Sequence, residues 1–205
     1  MTPAAVAGGI LPGPSSVRAR TETVRILAAF AGLGAGTLSF GTSSTLLGAA
    51  PNVLIVTGAL AAAAWGVTLG VWAVQTLLRG TPAWAGKMAR LVSVAVLVHL
   101  AAVAQGIWWV GGGSARFLDI TALSAAASEL LLLGSLGWLT RQDIRAHAGA
   151  DAPPAGRLLI GAFAAALLVA AITAPGLAAT TAGNHALPHG SHVSPPANVS
   201  NGHHH

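Results

Sequence analysis

The chain has 205 residues, of which 54% are hydrophobic and only 7% charged, and its mean hydropathy is +0.70. A soluble domain carries about 25% charged residues, so this composition cannot solvate a globular surface and excludes an ordinary soluble fold. The net charge of +5 points to nucleic acid at first sight, but the cations are spread over short loops instead of forming a patch, which argues against that partner.

Residues 1–20 are rich in Pro, Gly, Ala and Ser, hold Arg18 and Arg20, and read as a disordered cytoplasmic leader. Residues 21–179 form the predicted transmembrane domain, with apolar spans at about 24–47, 53–78, 91–110, 120–139 and 158–177. Each reaches about 20 residues, which at 1.5 Å per residue crosses a hydrocarbon core of about 30 Å. The first span competes with a signal peptide cleaved at Gly48-Ala49-Ala50; Pro51 directly after that site favours a retained helix. The connections are short and carry Pro51, Pro82, Gly111-Gly112-Gly113 and Pro153-Pro154, so sequential helices should be antiparallel neighbours. Residues 180–205 form a polar, His-bearing tail.

The cations orient the bundle. Arg18, Arg20 and Arg25, then Arg79, Lys87 and Arg90, then Arg141, Arg145 and Arg157 all fall on one side of the spans, and only Arg116 falls on the other. The positive-inside rule makes the first side cytoplasmic. The predicted fold class is therefore an all-α integral membrane protein, a bundle of five transmembrane helices with its N-terminus in, its C-terminus out and disordered tails. The expected location is the cell membrane, with anionic lipid against the cytoplasmic cations. Trp108, Trp109 and Trp138 fall at span ends, where amphipathic indoles are favoured; Trp65 falls mid-span and reads as a packing residue.

Six of the eight histidines lie on the tail. His185, His189 and His192 follow a His-x3-His-x2-His spacing that can gather three imidazoles around one ion if the chain turns at Pro188 and Gly190. Neutral imidazole suits Cu(II), Zn(II) and Ni(II), so Cu, Zn or Ni is the expected ligand. His203, His204 and His205 extend the tract, or are an appended remnant, in which case the native case rests on the first three. The competing reading is a solvated tail whose histidines are incidental. Asn198-Val199-Ser200 matches the glycosylation sequon, a three-residue match of little weight.

A second constellation is intramembrane. His99 lies eight residues from the inner end of the third span and Glu129 ten from that of the fourth, so their depths differ by about 3 Å. An ionisable group at the bilayer centre costs at least about 2.5–3.5 kcal/mol, so it normally faces a partner or a cavity. The pair reads either as a proton or ion relay, or as a structural hydrogen bond supported by Ser128, Ser124 or Gln105. His99 is the only histidine inside a span, which disfavours bis-His haem. The Gly32-x3-Gly36 and Gly66-x3-Gly70 motifs are small-residue packing surfaces, within the chain or toward another subunit.

Nothing resembles a P-loop, a Rossmann fingerprint, a nucleophile elbow or a zincin helix, so neither nucleotide nor enzymatic chemistry is expected. Cysteine is absent, which excludes disulfides, thiolate sites and thioether-linked haem. The leading expectation is a non-enzymatic polytopic membrane protein that binds divalent metal on its outer tail, for metal handling or alongside a metal-containing membrane complex. Its partners would be membrane lipid and other membrane subunits or an oligomer. One alternative is a structural accessory subunit of a larger membrane complex, of the respiratory kind. Another is a small ion or proton-coupled transporter using His99 and Glu129.

Overall fold

A computed structural model describes residues 14–48, 52–108, 115–143 and 155–180. They form five α-helices: α1 (Pro14–Gly48), α2 (Val53–Arg79), α3 (Ala85–Trp108), α4 (Ala115–Asp143) and α5 (Ala155–Ala178). All five are long and apolar enough to cross a membrane. Each coincides with one of the expected spans. The largest departure is at the start: α1 begins at Pro14, inside the segment expected to be a disordered leader. A proline fits the first helical position, where its fixed φ is preorganised and no N–H is needed. Glu22 and Arg25, one turn apart, form an ion pair farther along α1.

Local chemistry marks the ends of α2. The Asn52 side chain accepts the Ile55 N–H at 2.9 Å, capping the N-terminus. Gly80 closes the C-terminus in a left-handed conformation at φ 71°, and its N–H donates to the Thr76 carbonyl. The Arg25 guanidinium donates to the Gly80 carbonyl, so a cation from α1 meets the negative end of the α2 dipole. Trp72 Nε1 donates to the Ala83 carbonyl at 2.9 Å and fixes the turn into α3.

The chain order is not the packing order. α1 and α4 form the centre: about half of the apolar stretch of each is buried (56% and 50%), against 17% for α2, α3 and α5. α1 packs on α2, α4 and α5; α4 packs also on α3 and α5. The expectation that every sequential pair would be neighbours fails at α2 and α3, whose backbones do not meet among the described residues. α2 lies against α1 and α3 against α4, so the two are held apart by the central pair. Bulky Trp65 and Trp72 on α2 and Met88, Val92 and Val96 on α3 fill the space between as part of one apolar core.

Glycines set the α1–α2 approach. A Cβ on Gly66 would stand 2.8 Å from the Gly36 carbonyl oxygen, and one on Gly36 would stand 3.0 Å from that of Gly66. The two small-residue motifs are therefore used, at least at these positions, inside the chain. Backbones this close gain dispersion where lipid removes the hydrophobic drive between helices.

The core divides along its length. Toward the end carrying Arg25 and Gly80, most buried positions are apolar, among them Ala28, Ala31, Leu69, Val92, Leu132 and Leu136, with Thr76 and Ser135 as polar exceptions. In the opposite half, between α1, α4 and α5, buried hydroxyls gather among buried alanines: Ser39, Ser43, Thr121, Ser124, Ser128 and Thr173. Ser39, Ser128 and Thr173 each donate to a carbonyl one turn back in their own helix, at 2.9 Å in every case. Thr121 instead crosses to the Gly176 carbonyl of α5 at 3.0 Å.

Candidate functional site: a buried carboxyl held by three helices

Glu129 sits where the two halves meet. It lies mid-way along α4, the helix with packed neighbours on most sides, and its side chain is 0% exposed. Its flanking sequence explains the burial. Ala125, Ala126, Leu132 and Leu136 lie one or two turns away and are all buried, so the carboxyl is carried into the bundle on a buried face of α4.

Both carboxyl oxygens have partners. Trp65 of α2 donates its indole N–H to Oε1 at 2.9 Å. His99 of α3 places Nδ1 at 2.9 Å from Oε2. The separation expected from span depth thus closes to a direct contact. The carboxyl bridges two helices whose backbones do not touch one another among the described residues, and it does so from a third. The His99 side chain is 15% exposed, and no hydrogen-bond partner for its Nε2 occurs among the described residues.

The chemistry of the cluster follows from its donor inventory. Oε1 accepts from the indole in every state, because an indole nitrogen can only donate. The bond between Oε2 and Nδ1 admits two arrangements: a carboxylate accepting from a protonated ring nitrogen, or a carboxylic acid donating to a bare one. The site can therefore hold a proton on either partner without moving a heavy atom. Among the described residues no other ionisable side chain contacts the pair, so it must balance its own charge.

Three expectations are revised here. Ser128 bonds back to its own helix, Gln105 is exposed, and Ser124 packs toward Gly176, so none of them supports Glu129. The supporting residue is Trp65, which sequence reasoning took as packing alone. A signal was present: Trp65 is the tryptophan farthest from any span end, and it stands near mid-span like Glu129. An indole placed there has no interfacial water for its N–H and needs an acceptor within the bundle.

No group of three or more His, Cys, Asp or Glu able to hold a metal occurs among the described residues. His185, His189 and His192, the His203–His205 run and the Asn198 sequon lie outside the described residues, as do Trp109 and the Gly111–Gly113 and Pro153–Pro154 connections. No family model, curated protein or solved structure matches the chain.

At the end bearing Arg25, a smaller polar network ties α1 to α2. Arg25 pairs with Glu22 and caps Gly80, while its Nε and the Thr76 hydroxyl are buried without hydrogen-bond partners. Arg25 therefore anchors a helix end instead of standing in solvent as a free cation. Its role is structural: the acceptor it satisfies is a terminal backbone carbonyl.

Proposed function

We propose that this is a non-enzymatic, multi-pass membrane protein that handles cations at the bilayer, with the His99–Glu129 pair as its intramembrane proton-holding centre. The observation that carries this reading is the complete burial of Glu129 between a histidine and a tryptophan from two other helices. Ionisable groups at such depth are costly, and they recur where protons or ions are moved. A proton on the pair can pass between Oε2 and Nδ1 without structural change, which is the elementary step a relay needs. Reconstituted liposomes test it: proton and Zn(II) flux should be measurable with the intact chain and should fall sharply in Glu129→Gln. Equal flux in both would refute the role of the carboxyl.

The His tail supports metal as the cation. With the N-terminus inside, an odd number of spans puts His185, His189 and His192 outside, where they would collect Cu, Zn or Ni. Calorimetry with Zn(II), Cu(II) and Ni(II) on the full chain and on one with its six tail histidines replaced by serine separates the tail from the bundle. Equal, negligible binding to both would remove the metal reading. An accessory role in a larger membrane complex predicts co-purifying subunits after mild extraction; recovery of this chain alone would count against it.

A further inference from the structure

The turn from α2 into α3 gathers cations around a tryptophan: Arg79, Trp84, Lys87 and Arg90. All four are exposed, Trp84 at 76%. The sequence places no Asp or Glu between Glu22 and Asp119 to offset the charge. The backbone of the turn is pinned along its length. Arg25 holds the Gly80 carbonyl and the Trp72 indole holds the Ala83 carbonyl. The Lys87 and Met88 N–H groups both hold the Trp84 carbonyl, at 2.9 Å. Trp84 itself lies at φ 50°, in the left-handed region that glycine adopts freely and a bulky residue does not. A strained backbone that turns a large indole outward marks a place where the side chain, and not the turn, is wanted.

The cations head an apolar stripe. At 3.6 residues per turn, Lys87, Arg90, Leu91, Val94 and Val98 share one side of α3, and all five are exposed. Val92, Val96 and His99 lie on the inward side. Arg90 Nε donates to the Gly86 carbonyl, one turn back, at 3.4 Å, so the guanidinium folds toward the start of the helix and toward Trp84. Its terminal nitrogens keep the planar fork that suits a phosphate. From Lys87 to Val98 the rise is about 16 Å, close to half of a hydrocarbon core of about 30 Å. The stripe is thus one leaflet deep, with cations at its head, an indole beside them and apolar side chains beneath. Other cations on the same expected side are placed differently: Arg25 is engaged by Glu22 and Gly80, and α5 carries a single one, Arg157.

We propose that the head of α3 binds an anionic phospholipid. Lys87 and Arg90 hold its phosphate, the Trp84 indole packs at the level of its glycerol and ester groups, and one acyl chain runs along Leu91, Val94 and Val98. Arg79, across the turn, adds to the positive field that draws in the headgroup. Each part matches in chemistry: charge-assisted bonds meet phosphate oxygens, an amphipathic indole meets the boundary between water and hydrocarbon, and an apolar face meets the chain. The inference rests on the reading of the chain as a multi-pass membrane protein and is independent of any cation handling by His99 and Glu129.

The test uses the full chain in mild detergent with phosphatidylglycerol or phosphatidylcholine added, and counts retained lipids by native mass spectrometry. Phosphatidylglycerol should be favoured at least about fivefold, the factor that one cation contributes beside an anionic headgroup. Lys87→Gln with Arg90→Gln should abolish the preference. Arg20→Gln with Arg157→Gln removes the same charge from exposed positions on α1 and α5 and should keep it. Trp84→Gly separates binding from folding: it relieves the positive φ, so the unfolding midpoint should not fall while lipid retention does. Inorganic phosphate at the same concentration should not displace the lipid, because it offers no acyl chain. Equal retention of the two lipids, equal loss in both double variants, retention unchanged or a lowered midpoint in Trp84→Gly, or displacement by phosphate would overturn the proposal. Failure of the chain to float with vesicles on a density gradient would overturn the membrane reading along with it, whereas flotation without headgroup preference removes this site alone.

Discussion

Replacing Glu129 by Leu, Gln or Ala separates the hydrogen-bonding role of the carboxyl from its volume. Leucine keeps much of the volume but removes both acceptors, leaving the Trp65 indole N–H and His99 Nδ1 without partners. Buried donors stranded in a soluble core cost about 1–3 kcal/mol each. In membranes, measured interhelical hydrogen bonds average about 0.6 and reach about 1.7 kcal/mol, because the unfolded reference also finds partners. The membrane figure is the relevant one, so two bonds give about 1–3 kcal/mol for Glu129→Leu. Glutamine retains an oxygen for the indole and an amide that can donate to a bare Nδ1, so its cost should stay below about 1 kcal/mol. Alanine adds a cavity at a position with no exposure and should be the worst of the three. Unfolding in mixed micelles with rising dodecyl sulfate, followed by far-UV circular dichroism, gives the ranking. A double-mutant cycle with Trp65→Phe isolates the indole bond, with an expected coupling of about 0.6–1.7 kcal/mol. Leucine as stable as glutamine, or a coupling of zero, would refute the claim that this carboxyl holds α2 to the rest of the bundle.

Other substitutions test the packing. Gly66→Ala puts a methyl 2.8 Å from the Gly36 carbonyl oxygen, and a backbone atom cannot swing aside, so it should destabilise the bundle by about 1–3 kcal/mol in the same titration. Gly70→Ala, one turn away on α2 with nothing within 4 Å of the new carbon, should be neutral or gain up to about 1 kcal/mol from helix propensity. Gly80→Ala forces a Cβ into φ 71° beside the Arg25 guanidinium, 3.2 Å away, and should cost about 1–2 kcal/mol. Thr76→Val removes a buried hydroxyl that has no partner and keeps the shape, so the melting temperature should hold or rise.

Span number and boundaries were legible because they depend on one-dimensional quantities. Apolar length and the charges that interrupt it are local, and bilayer thickness fixes how long a helix must be. The His99–Glu129 contact was legible for the same reason: depth is counted along a helix at a fixed rise, and a short connection ties α3 to α4. Trp65 was missed because its role depends on lateral arrangement, which depth does not constrain. Neighbouring helices were inferred from short loops, and that inference held for α1–α2, α3–α4 and α4–α5 but not for α2–α3. The reason lies in the side chains. Gly32, Gly36 and Gly66 let α1 and α2 come close, whereas Trp65, Trp72 and Met88 keep α2 and α3 apart. The start of α1 was misplaced because Arg18 and Arg20 interrupt the apolar run without interrupting the helix, and a charged turn beyond a span carries no hydropathy signal.

The position of the carboxyl on α4, with its partners on peripheral helices, decides how function and stability can be told apart. α4 is packed along half its apolar length, so a change at Glu129 disturbs the centre of the bundle as well as the polar cluster. Among the described residues the backbones of α2 and α3 each pack on a single helix, and 17% of the apolar stretch of each is buried. A change at Trp65 or His99 removes one arm of the cluster and leaves the α1–α4–α5 packing in place. Loss of a transport or binding signal in His99→Gln, with an unfolding midpoint close to the parent, would therefore be attributable to the imidazole. The same loss in Glu129→Leu would not, because that variant also strands the indole and loosens α2. The histidine edge of the cluster is the place to separate a proton-holding role from a structural one.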